Sequence, residues 1–393
     1  MIVIAVLFYF VLATIAYTYI GFPLLVALRA MVFRKPIKAQ RITPPVSLIV
    51  AAHNEEDSIE DKLLNILQLD YPADRLQVIV ASDGSTDRTG EIVSRYADRG
   101  VELLTLPRMG KAYALNQAVA KASGDVLVFS DANSMYATDA IRQLAAPFAD
   151  ETVGGVAGDQ RYRKSNDDEC DQGDSDEGER AYWNMDRMMK RWQSQAGHVI
   201  SATGAIYAIR RSLFQQVPDG VTDDFVTSTR IILQQHRLVF AEQAAAFEPA
   251  ASSSGIEFGR KVRVMTRGLR GVLMVRPLLN PFRFGFYSVQ LFSHKVLRRL
   301  MVIPIMALYL LSGLLATQSI GYLIFFGLQT LFYLAATIGL LTRSTRLGRS
   351  KLLALPAFFC MVNVAALVAL SNTIRGHRID RWEPQRPLET VPS

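Results

Sequence analysis

Two regimes of hydrophobic patterning divide the 393 residues. In the first regime, charge is absent over long stretches. Residues 1–28 carry no charged side chain, and such a run exceeds the roughly 20 residues a helix needs to cross a bilayer. The same regime returns at Leu300–Thr317, Ile320–Leu341 and Leu352–Leu370, which predicts about three further spans near the C-terminus. In the second regime, short apolar runs alternate with segments of helical period. Val46–Ala52, Leu76–Ala81, Val101–Leu106 and Val126–Phe129 read as strands buried on both faces. Ile59, Leu63, Ile66 and Leu67 then share one helical face, a helix begins near Asp87, and another covers Ala112–Ala122. Ser58 and Asp61 have capping-box spacing ahead of the first helix.

Strand–helix alternation at spacings of about 20 to 30 residues predicts an α/β fold, a doubly wound sheet with mostly parallel strands. Ligands bind such sheets beyond the carboxyl ends of the strands. All four apolar runs stop there at polar clusters: Asn54-Glu55, Asp83-Gly84-Ser85, Arg108 with Lys111, and Asp131 with Asn133. A carboxylate and an amide two residues apart can hold a hard divalent cation against phosphate oxygens, although both residues are also common in turns. Taken together, the four clusters predict a nucleotide diphosphate site, with Asp83 on base or ribose, the basic side chains on phosphates, and Asp131 and Asn133 on the metal. No GxGxxG follows the first strand and no P-loop is present, which disfavours a dinucleotide redox site.

Charge refines the membrane picture. Arg29, Arg34, Lys35, Lys38 and Arg41 follow the first apolar segment and only Met1 precedes it, so an uncleaved anchor is expected, with the chain emerging on the cytoplasmic side. Arg343, Arg346, Arg349 and Lys351 mark a second cytoplasmic loop. The tail at Arg375–Arg381 is basic too, which conflicts with a last segment that spans. The net charge of +7 lies mostly beside apolar segments and predicts contact with membrane lipids; no nucleic-acid motif occurs. Cys170 and Cys360 do not make a disulfide framework, and His53, His198 and His294 are too scattered for a zinc site. Asp167–Glu179 holds eight acidic residues among glycines and serines and reads as a solvated mobile loop over 167–178. Tyr182, Trp183 and Trp192, with Met185, Met188 and Met189, read as a packing stripe.

VSLIVAAHNEE at 46–56, ASDGSTDRT at 81–89, GKAYALN at 110–116 and DANS at 131–134 together resemble the amino half of family-2 inverting glycosyltransferases with a GT-A fold. The resemblance covers roughly Val46 to Arg276. It implies a nucleotide-sugar donor, UDP-linked in first expectation, and a divalent cation, Mg2+ or Mn2+. Membrane-embedded members include hyaluronan, cellulose and poly-N-acetylglucosamine synthases, which points to a bacterial inner membrane. Donor contacts are then expected from Asn54, Glu55, Asp83, Arg108, Lys111 and Asp131.

Further along, Thr203-Gly204-Ala205 resembles the acceptor-contacting segment, whose small residues let a sugar approach the backbone. The same residues also fit a strand with a glycine bulge. Thr222-Asp223-Asp224 resembles the family's Thr-Glu-Asp, which implies Asp224 as general base and Asp223 at the acceptor. As bare residues they equally fit a helix N-cap. Arg263 falls where the family carries the arginine of Gln-x-x-Arg-Trp, a donor diphosphate contact, with Arg260 and Val264 replacing the glutamine and tryptophan. Loss of that aromatic counts against long-chain processive synthesis. Arg260, Arg263, Arg267 and Arg270 oppose Val262, Met265, Leu269 and Val272, the pattern of a membrane-interface helix.

The expected organisation is an anchor at 1–28, a catalytic domain at 44–255, interface helices at 256–299, membrane helices at 300–372 and a tail at 373–393. The expected function is transfer of a sugar to a polysaccharide or lipid-linked acceptor at the cytoplasmic face. A catalytically idle, nucleotide-sensing membrane scaffold is the alternative. Oligomeric state is not legible.

Overall fold

β1 (Val46–Ala52), β2 (Leu76–Asp83), β3 (Val101–Leu106) and β4 (Val126–Asp131) form where the apolar runs predict them. The structure is a computed structural model that describes residues 1–163, 175–249, 254–343, 345, 347–348 and 350–377. The four strands pair in parallel, with Val46 of β1 opposite Leu76 on one side and Val126 on the other. Every residue of β1 is buried, as a strand covered on both faces requires. Leu48, Val50 and Ala52 face Ile59, Leu63 and Ile66 of the helix Ile59–Leu67, while Ile49 and Ala51 face Ala114, Leu115 and Ala118 of the helix Lys111–Lys121.

Beyond β4 the pairing changes. β5 (Met135–Tyr136), β6 (Val153–Arg163), β7 (Tyr207–Arg210) and β8 (Arg237–Pro249) complete an eight-stranded sheet in the order β3-β2-β1-β4-β7-β6-β8-β5. β7 runs antiparallel to both β4 and β6, β5 is antiparallel to β8, and β6 and β8 are parallel. This is the expected mixed, mostly parallel α/β sheet. No long apolar run announces β6 or β8, because Gly, Asp, Gln and Arg interrupt the first and Glu and Gln the second. Gly158 shows why one interruption is needed: a Cβ there would lie 2.8 Å from the Ala244 carbonyl oxygen.

Among the described residues, three helices are long and apolar enough to cross a membrane: Ile2–Val32, Ile320–Leu341 and Lys351–Ile374. Phe286–Leu300 and Val302–Leu315, bent by 54°, would make a fourth together. The span expected from Leu300 thus begins at Val302 and continues a segment that had been counted with the interface helices. Phe8 of the first helix packs on Leu308 and Leu315. Two π-helical turns, Tyr17–Gly21 and Phe292–Leu297, meet where the Tyr17 and Ser293 hydroxyls hydrogen-bond at 2.8 Å.

Several local expectations are corrected. Ser58 precedes the helix Ile59–Leu67, yet its hydroxyl donates to Glu55 Oε2 at 2.7 Å and caps no helix N–H, since a carboxylate is a strong acceptor. Of the acidic stretch, residues 167–174 lie outside the described residues, as does Cys170, while 175–178 open the helix Ser175–Gln195. That helix packs Met189 and Trp192 on Phe22 and Val26, whereas Met185 and Met188 stay exposed. The arginine-rich helix, Ser254–Met274, packs against its neighbours along one side while Val264, Leu273 and Met274 stay exposed. Leu269, Val272 and Thr266 are buried, Gly271 abuts Phe225, and Lys261 Nζ lies 4.9 Å from the Phe358 ring centroid. It wedges the sheet domain against the helix Lys351–Ile374.

Candidate active site

At the carboxyl end of β1 the chain turns sharply. Asn54 adopts a φ of 52°, a left-handed conformation that asparagine tolerates better than most residues. Its Oδ1 accepts from the Thr86 N–H at 2.8 Å, and the Glu55 N–H donates to Thr89 Oγ1 at 2.8 Å. His53, buried beneath them, places Nδ1 2.7 Å from the Asp83 carbonyl oxygen. Asn54 and Glu55 therefore stitch the loop after β1 to the loop after β2, forming one wall of the crevice.

Asp83 is buried at the end of β2. Its carboxylate accepts the N–H groups of Met109 at 2.8 Å and Gly110 at 2.9 Å, which fixes the loop after β3. Gly84 must be glycine for this: it sits at φ 60°, and a Cβ there would lie 2.7 Å from Arg108 Cβ. Arg108 itself is exposed at the rim. Gly110, also at positive φ, turns the chain into the helix Lys111–Lys121.

Lys111 organises the centre. Its Nζ lies 2.6 Å from Asp131 Oδ1 at the end of β4 and 3.2 Å from Asp223 Oδ2. Gly204 covers this pair so closely that a Cβ would stand 3.0 Å from Asp131 Oδ2 and 3.5 Å from Lys111 Nζ. Thr203, Gly204 and Ala205 form the turn before β7 and belong to no bulged strand, and the Ala205 carbonyl accepts from Ser130 Oγ at 3.5 Å. Thr222 holds the N-cap position of the helix Asp223–Leu233 but makes no capping bond with its side chain. Asp223 and Asp224 lie in the first turn, so neither serves as the N-cap. Asp224 Oδ1 accepts from the Phe225 N–H at 2.7 Å.

These groups polarise one another. Burial and the neighbouring Asp223 push Asp224 up to about 7, against the opposing pull of Lys111 and the Phe225 N–H. Burial works against the charge of Lys111, but Asp131 and Asp223 outweigh it and hold the ammonium well above its ordinary range. The structure thus brings together residues 111, 131, 204, 223 and 224, with Asp83 one loop away. Arg263 is half-buried on the helix Ser254–Met274, which adjoins this centre through Gly271 and Phe225.

Among the described residues, no three His, Cys, Asp or Glu side chains form a metal cage. Asp131 and Asn133 still suit a hard cation. Asp131 already accepts an ammonium at 2.6 Å, and Asn133 is exposed on the same turn. Mg2+ is commonly held by one or two carboxylates with phosphate oxygens completing its shell.

Sequence reasoning missed a second layer. Lys62, fully buried, donates to the Ser134 carbonyl and lies 3.9 Å from the Tyr136 ring centroid. Burial pulls it down to about 7 although Asp131 and Glu248 pull the other way. The Ser134 hydroxyl donates to Glu248, which also accepts from Gln160 Nε2 at 2.6 Å. Lys62 interrupts the apolar stripe of Ile59, Leu63 and Ile66, and that was its legible signal. The buried hydroxyls of Thr203 and Thr222 have no hydrogen-bond partner, and those of Tyr207 and Thr227 have none beyond each other. Tyr207 lies within the field of both Asp223 and Asp224.

The family model described as glycosyl transferase family 2 matches residues 47–217. This stretch is a family 2 glycosyltransferase domain. It carries Asp83, Lys111, Asp131 and Gly204, while Asp223 and Asp224 follow just beyond it. The chain is 31% identical over 186 residues to the probable glycosyltransferase YdaM of Bacillus subtilis (strain 168), which covers 44% of this chain and 42% of that protein. It is 28% identical over 225 residues to the poly-beta-1,6-N-acetyl-D-glucosamine synthase of Staphylococcus aureus (strain MSSA476), covering 56% of this chain and 53% of the relative. The chain therefore spans about half the length of the curated relatives it matches. Among solved structures, the mannosyltransferase PcManGT from Pyrobaculum calidifontis, in complex with GDP-Man and Mn2+, superposes with a TM-score of 0.69 at 22% identity. That match covers 95% of this chain and 100% of PcManGT, and establishes the GT-A fold.

Proposed function

We propose that the chain is a membrane-bound inverting glycosyltransferase that moves a sugar from a nucleotide diphosphate donor to a hydroxyl of a saccharide or lipid-linked acceptor. The observation that carries this reading is Lys111 bridging Asp131 and Asp223 beside a carboxyl tuned to about 7. Asp224 takes the acceptor proton as the acceptor oxygen attacks the anomeric carbon, and the diphosphate leaves from the opposite face with the bonding electrons. A base tuned near the working pH is suited to that task.

Asn54, Glu55 and Asp83 line the nucleotide side. Asp83 keeps a free lone-pair direction for a ribose hydroxyl after accepting its two loop N–H groups. Lys111, Arg108 and Arg263 supply positive charge for the diphosphate. Asp131 and Asn133 would hold Mg2+ or Mn2+, which would neutralise charge on the departing diphosphate; PcManGT, with GDP-Man and Mn2+, supports such a pairing. Thr203, Gly204, Ala205 and Asp223 face the acceptor. Val264, 48% exposed, offers no aromatic ring for a growing chain, which favours short products. The apolar helices support a membrane location, and the basic residues after the first span support the cytoplasmic face.

A screen of nucleotide sugars tests the reading. Purified chain with Mg2+ or Mn2+ should release UDP or GDP from at least one donor, and chelation should abolish the release. No release from any donor would sink the proposal and leave the nucleotide-sensing scaffold.

A further inference from the structure

Two cations sit in the seam between the sheet domain and the membrane helices. Lys295 and Arg299 stand four residues apart on Phe286–Leu300, just before its 54° bend into the apolar segment Val302–Leu315. Lys295 Nζ lies 5.5 Å from the ring centroid of Phe225, the neighbour of Asp224. The Arg299 guanidinium rests against Gly268, where a Cβ would collide with it, and its Nη1 is buried without a hydrogen-bond partner. Ser288 Oγ, earlier on the same segment, is likewise buried and unpartnered.

Among the described residues, neither cation has a carboxylate at ion-pair distance. Asp224 and Asp186 act on Lys295 only through space, and Asp186 is already paired with Lys190 at 2.9 Å. Buried charges in proteins are ordinarily paired, and a guanidinium with unused donors matches the oxygens of a phosphate. Basic pockets among membrane helices hold phosphorylated headgroups for the same reason. On one side of this seam lies the carboxyl read as the base; on the other lie helices apolar enough to carry a hydrocarbon chain.

We propose that Lys295 and Arg299 bind a phosphate group and so hold a phosphate-bearing lipid acceptor beside Asp224. This deepens the glycosyltransferase reading and rests on it for the role of Asp224. A free phosphate would offer the same oxygens, and the test separates the two sources.

The full chain in detergent micelles is titrated with farnesyl phosphate, farnesol and inorganic phosphate, with ligand-induced thermal stabilisation as the readout. Farnesyl phosphate should stabilise the protein, and the other two should not at equal concentration. Arg299→Gln and Lys295→Gln should each weaken farnesyl phosphate binding by about tenfold or more, as loss of a charged hydrogen bond predicts. Arg299→Lys, which keeps the charge, should recover part of it, and unliganded melting checks that each variant is folded. Equal stabilisation by inorganic phosphate would overturn the lipid source. Equal stabilisation by farnesol, or unchanged binding in both glutamine variants, would overturn the site itself. The binding is read without turnover, so its failure is distinct from failure of the donor screen.

Discussion

The two halves of the sheet treat their polar groups in opposite ways. Among the described residues, none of the buried side-chain atoms left without a hydrogen bond belongs to the β1–β4 half, residues 46–136. Asn54, Glu55 and Asp83 are each engaged with backbone or hydroxyl groups of a neighbouring loop. In the half from β6 to β8, the Thr203 and Thr222 hydroxyls are buried with nothing bonded to them, and those of Tyr207 and Thr227 have only each other. An unmade buried hydrogen bond costs about 1–3 kcal/mol, so under-bonded hydroxyls flanking Asp223 and Gly204 suit groups that a ligand completes. The first half is closed by its own hydrogen bonds, which suits the nucleotide side of the proposed function. The second keeps hydrogen-bonding capacity, which suits its proposed acceptor side.

That contrast can be broken most sharply at its centre. Asp224→Asn should lower kcat by about 10²–10⁴-fold while leaving donor binding intact, read by transfer kinetics alongside nucleotide titration. Unimpaired transfer would remove Asp224 as base. A smaller effect is expected from Asp83→Ala, which frees the Met109 and Gly110 N–H groups. Loss of charged hydrogen bonds at about 1.5–3 kcal/mol each should raise the donor KM at least tenfold, with little change in the acceptor KM. Tyr207→Phe should do the reverse. Removing a buried hydroxyl whose nearest partner is the weakly placed Thr227 hydroxyl should shift the melting temperature little, yet increase the acceptor KM by up to about tenfold. If stability falls instead, the hydroxyl is structural and the contrast fails.

The smallest effect is one of pH. Asp224 must be ionised to act, so activity should rise with pH through the folded value of about 7. Asp223 raises that value by like-charge repulsion, so Asp223→Asn should move the acid limb of the kcat/KM profile to lower pH. An upward move would contradict the arrangement.

What the sequence made legible follows the same division. Strands β1, β2 and β4 are largely buried on both faces, and their apolar runs announced both the strands and the crevice at their ends; β3, interrupted by exposed Glu102 and Thr105, was placed by the strand–helix alternation. In β6 and β8, residues such as Gln160 and Glu248 point into a polar layer, and no periodicity survives. Lys111, Asp131 and Asp224 were found because motifs carry them. Lys62 was visible only as a cation out of place in an apolar stripe. The under-bonded hydroxyls could not be read at all, since whether Tyr207 or Thr227 finds a partner is decided by chain segments remote in sequence. The packing of the arginine-rich helix was hidden for a related reason: Gly268 and Gly271 look unremarkable in sequence, yet they are where Arg299 and Phe225 approach.

The meeting of the Tyr17–Gly21 and Phe292–Leu297 turns has a consequence for assembly. Each widened turn rotates everything after it by a fraction of a revolution relative to a regular helix. The hydroxyl contact between Tyr17 and Ser293 thus works as a tooth in a notch, letting the leading helix seat at one azimuth only. Deleting a single residue from the Phe292–Leu297 turn, which carries Lys295, would swing that lysine away from Phe225 without touching Lys111, Asp131 or Asp224.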